Sequence, residues 1–173
     1  WKYSLILGLT GGLFTLIRPT NAIIALFFIL YQVSNFSDLK TKSILFLKNS
    51  WQILLILFSA FIMIVPQLVY WKIVTGDWIY YSYGESEPFF FLNPQIIDGL
   101  FSFRKGWIIY SPVVAFGLIG IFLLRKKLKD FFIPILIFTL LNIYIIFSWW
   151  CWWYGGSISQ RPFIDSFALL AIP

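Results

Sequence analysis

Residues 51–73 read WQILLILFSAFIMIVPQLVYWKI. The stretch carries a single charged residue, Lys72, near its far end. Trp51 opens it and Tyr70-Trp71 stand close to its end. An apolar run of this length, bracketed by aromatic side chains that favour the membrane–water boundary, is the pattern of a transmembrane helix. The composition agrees. Of 173 residues, 60% are hydrophobic and 12% charged, against roughly half and a quarter in an ordinary soluble domain. Mean hydropathy is +0.85. The expected fold class is therefore all-α, a polytopic transmembrane helical bundle.

Upstream of this run, residues 37–50 are polar, with Lys40, Lys42 and Lys48 against Asp38. Before them lies an apolar stretch, 3–36, too long for one crossing and interrupted by Arg18-Pro19-Thr20-Asn21. Proline cannot extend the helical hydrogen-bond ladder, so one helix is expected to end near Arg18 and another to begin at Pro19. Gly8 and Gly12 form a GxxxG pattern that lets a second helix approach closely.

Downstream, residues 74–106 form the longest stretch outside the membrane. It contains Asp77, Glu85, Glu87 and Asp98. Asn93-Pro94 reads as a helix start. Ile96, Ile97, Leu100 and Phe101 would then share a face, giving a short interfacial helix that ends at Gly99 or at Arg104-Lys105-Gly106. Five to six spans are expected in all, near 3–17, 20–36, 51–73, 107–124, 131–150 and 163–173. They form one multi-pass membrane domain. The chain begins at Trp1 and ends within an apolar run, so it is expected to be part of a longer protein.

Basic residues favour the cytoplasmic side. The dense turn Arg125-Lys126-Lys127-Leu128-Lys129 therefore places 125–130 and 37–50 in the cytoplasm, and 74–106 and 151–162 outside. Arg18, Lys72, Arg104, Lys105 and Arg161 then face outward with Asp77, Glu85, Glu87, Asp98 and Asp165. The outer face carries both signs of charge, which suits a polar reaction.

The chain has no histidine and a single cysteine, Cys151. Histidine acid–base catalysis, histidine-ligated zinc and an internal disulfide are thereby excluded within it. Proton transfer falls to Asp, Glu, Lys or Tyr. No metal ligand set is assigned.

The loop Trp149 to Asp165, WWCWWYGGSISQRPFID, concentrates the remaining candidates. Pro162 is expected to open a helix, which sets Arg161 beside free backbone amides, where an anion is favoured. Guanidinium adds bidentate phosphate recognition. The plain alternative is that Arg161 pairs with Asp165 and closes the loop. Arg18, beside Pro19, has the same phosphate-binding logic, against simple snorkelling toward headgroups. Asp77, Glu85 and Glu87 are the carboxylates available as a general base, against ordinary solvated loop acids. Arg104 and Lys105 can contact an anionic substrate or merely flank an interfacial helix. Trp149, Trp150, Trp152, Trp153 and Tyr154 can stack on a sugar ring or form an aromatic belt. Gln160 and Asp165 complete the candidate substrate set. Gly155-Gly156 is expected to turn with positive φ.

Three stretches together, IRPTN at 17–21, GLFSFRKGWIIYSP at 99–112 and WYGGSISQRPFID at 153–165, resemble bacterial membrane glycosyltransferases of the GT-C type. These are the glycosyltransferase family 39 and protein-mannosyltransferase-like proteins. The resemblance implies a multi-spanning enzyme of the cytoplasmic membrane. It implies transfer of a sugar from a polyprenyl-phosphate donor to a glycan, lipid or protein acceptor at the outer face, commonly with inversion. It further implies a catalytic aspartate in an external loop upstream of Trp1, with Arg161 and Arg18 at the donor phosphate. The acids of 74–106 would bind acceptor or a divalent metal. Partners are then the lipid-linked donor, the acceptor and membrane lipids, with no nucleic acid. A non-catalytic transporter or flippase of lipid-linked sugars would need the same cations. A ligand-free membrane assembly subunit is the third reading.

Overall fold

The computed structural model describes residues 1–84 and 86–173. The described residues form an all-α fold without strands; one isolated antiparallel bridge joins Phe89 to Trp149. The chain divides into two compact units. One comprises residues 1–25 and 35–82, the other residues 26–34 and 83–173.

In the first unit, helix α1 (Lys2–Ile17) packs along helix α4 (Ser50–Thr75). Ser4, Gly8 and Gly12 recur at intervals of four and are the buried residues of α1. Such spacing puts them on one helix face. A Cβ on Gly8 would lie 1.9 Å from Ser59 Oγ, and one on Gly12 would lie 2.5 Å from the Ala60 carbonyl oxygen. The two glycines thus let the backbones meet. Ser59, buried at this contact, turns its hydroxyl back to donate to the Leu55 carbonyl at 2.8 Å. Trp1 lies 6.5 Å from Trp51 between ring centroids. Trp1 meeting Trp51, Gly8 meeting Ser59 and Gly12 meeting Ala60 make α1 and α4 parallel.

Residues 18–48, which run through both units, depart from the expected loops and spans. Proline opens a 3-10 helix, Pro19–Ile23, which runs on into α2 (Ile24–Leu30). This segment ends short of residue 36, and Gln32 adopts φ 61° just beyond it. Residues expected as a polar loop instead form α3 (Phe36–Lys48). Its first turn is held where Asp38 Oδ2 accepts the Asn35 backbone N–H at 3.0 Å. This reciprocal N-terminal capping is strong enough to fix a helix that composition alone does not announce. Gly76, left-handed at φ 84°, closes α4, and Lys72 donates to its carbonyl.

In the second unit, α7 (Val113–Lys127) and α8 (Lys129–Phe147) form a hairpin turning at Leu128. Val114, Ile121 and Leu124 of α7 meet Ile135, Ile143 and Ile146 of α8 in a core completed by Trp107, Phe147, Phe163 and Leu170. Residues 26–34 join this unit through Tyr31, edge-on to Phe131 at 5.2 Å. The expected span 107–124 is broken. A single turn, α6 (Trp107–Tyr110), precedes Ser111-Pro112, and α7 starts only after the proline. The short helix expected in 74–106 is α5 (Ile96–Phe101), starting two residues later than the Asn93-Pro94 start expected, with Gln95 at its N-cap. The Gln95 N–H donates to the Phe147 carbonyl at 2.9 Å, so the end of α8 decides where α5 begins. Gly99 lies within α5, where a Cβ would come 2.2 Å from the Phe147 ring. Residues 163–173 contain a 3-10 turn (Arg161–Ser166) and the one-turn α9 (Phe167–Leu170), not a long helix.

Among the described residues, two helices are long and apolar enough to cross a membrane, α4 and α8. α1 and Pro19–Leu30 are apolar but shorter. At 26 residues, α4 measures about 39 Å, longer than a hydrocarbon core of about 30 Å. Much of its surface is large apolar side chain exposed within the chain, including Leu57 at 61% and Phe58 at 62%.

Candidate functional site

The loops 83–106 and 148–161 of the second unit come together over the end of α8. Main-chain bonds set the register. The Phe90 N–H donates to the Ser148 carbonyl at 2.6 Å, and the Trp150 N–H to the Pro88 carbonyl at 3.1 Å. Around this bridge Phe89 meets Trp149 edge-on at 4.7 Å and Phe91 in a parallel stack at 5.2 Å. Tyr144 Oη donates to the Phe91 carbonyl at 2.8 Å. The aromatic residues here hold one loop against the other.

Beyond Trp150 the chain must reverse sharply, and three residues do so in the left-handed region: Tyr154 at φ 49°, Gly155 at φ 64° and Ser159 at φ 53°. Gly155 meets the expectation of positive φ without steric cost. Tyr154 and Ser159 are non-glycine residues there, and each has a bond holding it. Tyr154 Oη donates to the Ile146 carbonyl at 2.7 Å, and Ser159 Oγ meets Ser111 Oγ at 2.9 Å.

This reversal carries Gln160 inward. It is 2% exposed, and its Nε2 donates to the Lys105 carbonyl at 2.9 Å. A carbonyl acceptor fixes which end of the amide is nitrogen, leaving Oε1 buried with no hydrogen-bond partner among the described residues. Lys105 Nζ in turn donates to the Gly155 carbonyl. The Arg104 guanidinium lies over the Trp153 ring, 3.9 Å from its centroid. Trp153 is braced edge-on by Trp152 at 5.7 Å and Trp150 at 6.0 Å. Below, Trp107 stacks on Phe163 at 3.8 Å, and both rings are fully buried. The indole Nε1 atoms of Trp107 and Trp150 are buried without a hydrogen-bond partner among the described residues.

The structure therefore brings together Arg104, Lys105, Trp153, Tyr154 and Gln160, five of the residues singled out in the sequence as substrate-binding. Arg161, one position beyond Gln160, is exposed at the first residue of the 3-10 turn, and Asp165 is exposed four residues on. The expected α-helical start at Pro162 is a 3-10 turn instead, so few aligned peptide dipoles stand behind Arg161. Its guanidinium rather than a helix terminus supplies its charge. Glu87 is half-buried in the same unit. Asp77, exposed, and Arg18, half-buried at the end of α1, belong to the first unit. Glu85 lies outside the described residues.

Sequence reasoning missed Ser111, Ser159, Trp107 and Phe163. Ser111 stands in the break before Pro112, and that break was the one local signal available. No group of three or more Asp, Glu, His or Cys residues able to hold a metal is found among the described residues. A cationic guanidinium on an indole face can bind an anionic group. Searches against family models, curated proteins and solved structures found no match.

Proposed function

We propose that this protein is a multi-spanning membrane glycosyltransferase of the GT-C type. In this reading it binds a polyprenyl-phosphate sugar at the outer face of the cytoplasmic membrane and serves transfer of the sugar to a glycan, lipid or protein acceptor. The observation that carries it is the Arg104–Trp153 stack joined through Lys105 and Gly155 to Gln160. Stacking on Trp153 orients the Arg104 fork while its N–H edge stays available to phosphate oxygens. Arg161, on the 148–161 loop, is a further candidate cation. A fixed cation at the phosphate stabilises charge that builds up as the glycosidic bond breaks. Indole faces suit the apolar face of a sugar ring.

The helices support the membrane setting. In the first unit the α1/α4 pair is parallel, as two crossings in the same direction require. The five-to-six-span arrangement, with 37–50 and 125–130 cytoplasmic and 74–106 and 151–162 external, belongs to this proposal.

A second reading, a non-catalytic transporter or flippase of lipid-linked sugars, draws on Thr139 and Asn142. Both are buried on α8, and Thr139 Oγ1 has no hydrogen-bond partner among the described residues. Proteoliposomes with labelled polyprenyl-phosphate sugars separate the two. We expect donor binding in the wild type, and transfer where the expected catalytic aspartate is present. Arg104→Ala should weaken donor binding about tenfold or more, as loss of a charge-assisted bond does. Arg104→Lys should recover only part, because it lacks the fork. Donor movement across the bilayer without transfer would favour the transporter. Unchanged donor binding in Arg104→Ala would remove this cation from the site.

A further inference from the structure

The candidate site leaves a second basic cluster unused, on α3. Phe36, Leu39, Phe46 and Leu47 recur at i, i+3, i+10 and i+11, which puts them on one side of the helix. Ser43 interrupts this face, Lys40 lies at its edge and Leu45 falls off it. Phe36 is 84% exposed and Leu47 76%. Lys42 lies at the other edge, its Nζ 5.9 Å over the Phe46 ring, and Lys48 falls on the far side beside Thr41.

The apolar face does not stop at the end of α3. A single residue, Asn49, separates α3 from α4. An open groove crosses that junction, lined by Ser43, Phe46, Leu47, Ser50, Ile53 and Leu54. It leads from the lysine-bearing helix onto the exposed apolar side of the longest helix in the chain. Cations at one end and hydrocarbon at the other match the two ends of an anionic phospholipid.

We propose that α3 and its junction with α4 dock on an anionic phospholipid surface. The Phe36–Leu47 face enters the acyl boundary, and Lys40 and Lys42 at its edges meet lipid phosphates. The inference rests on α4 being a membrane span, and the test keeps the two apart.

The full chain, carrying Cys151→Ser, receives one spin-labelled cysteine at a time by Leu47→Cys, Thr41→Cys or Leu57→Cys. It is reconstituted into phosphatidylcholine vesicles with or without about a third phosphatidylglycerol. Depth is read from relaxation by oxygen against a water-soluble nickel chelate. The Leu57 position should lie deep in both lipids and the Thr41 position in water. The Leu47 position should enter the boundary region only with phosphatidylglycerol. Combined Lys40→Gln and Lys42→Gln should return it to water, each lysine shifting the docked ratio about fivefold. A deep Leu57 with Leu47 in water, or with Leu47 equally immersed in both lipids, overturns the docking of α3. Leu57 in water overturns the membrane-spanning reading of α4, and α3 docking with it.

Discussion

At the scale of single residues, the candidate site depends on Gln160 more than on any charge. Its amide ties the 148–161 loop to the Lys105 backbone. It sits between Ser159, held in the left-handed region, and exposed Arg161. Gln160→Leu removes the donor and leaves the Lys105 carbonyl short of a partner. The cost should be about 1–3 kcal/mol, the range for a buried polar group left unmade. Thermal unfolding in detergent measures it, and an unchanged midpoint would mean the loops are held together elsewhere. Gln160 and Trp153 were legible as candidates because a glutamine and an arginine in a tryptophan-rich loop are an unusual composition, and Arg104 was legible as part of the basic pair Arg104-Lys105. Their partners were not legible. Gln160 and the Lys105 carbonyl are 55 residues apart, and no local pattern encodes a bond to a backbone atom at that distance.

At the scale of elements, small residues decide which helices touch. Gly8 and Gly12 face α4, while a Cβ on Gly11 would meet nothing within 4 Å. Gly12→Leu should therefore force α1 away from α4 and cost more than the roughly 1–3 kcal/mol of ordinary overpacking, because the obstacle is backbone. Gly11→Leu should be neutral or slightly stabilising, as glycine is the poorer helix former. Comparing the two unfolding midpoints tests this directly, and equal losses would place the contact elsewhere. The GxxxG spacing was readable, but the face it meets was not. Element boundaries were less legible still. Asp38 capping turned an expected loop into α3, Pro112 split an expected span, and the Phe147 carbonyl moved the start of α5. In each case a bond or a missing N–H outweighed composition.

At the scale of the whole molecule, the large apolar side chains left exposed need a covering that the chain itself does not supply. Phe116 at 76% and Phe122 at 65%, both on α7, are examples. Alkaline carbonate extraction of membranes from expressing cells should leave the full chain in the pellet. Release into the supernatant would sink the membrane setting and the glycosyltransferase reading that depends on it. The sequence by itself determined the all-α class and the two longest apolar helices, α4 and α8. Hydrophobicity and the need to satisfy every backbone bond internally act along the chain and need no partner. It also marked the residues with chemistry to offer. Only the tertiary structure decided that Arg104 rests on Trp153, that Lys105 and Gln160 close the loops, and that α1 packs directly along α4. Those arrangements are set by long-range packing and by single hydrogen bonds between distant segments, whose free energies exist only once the elements have met.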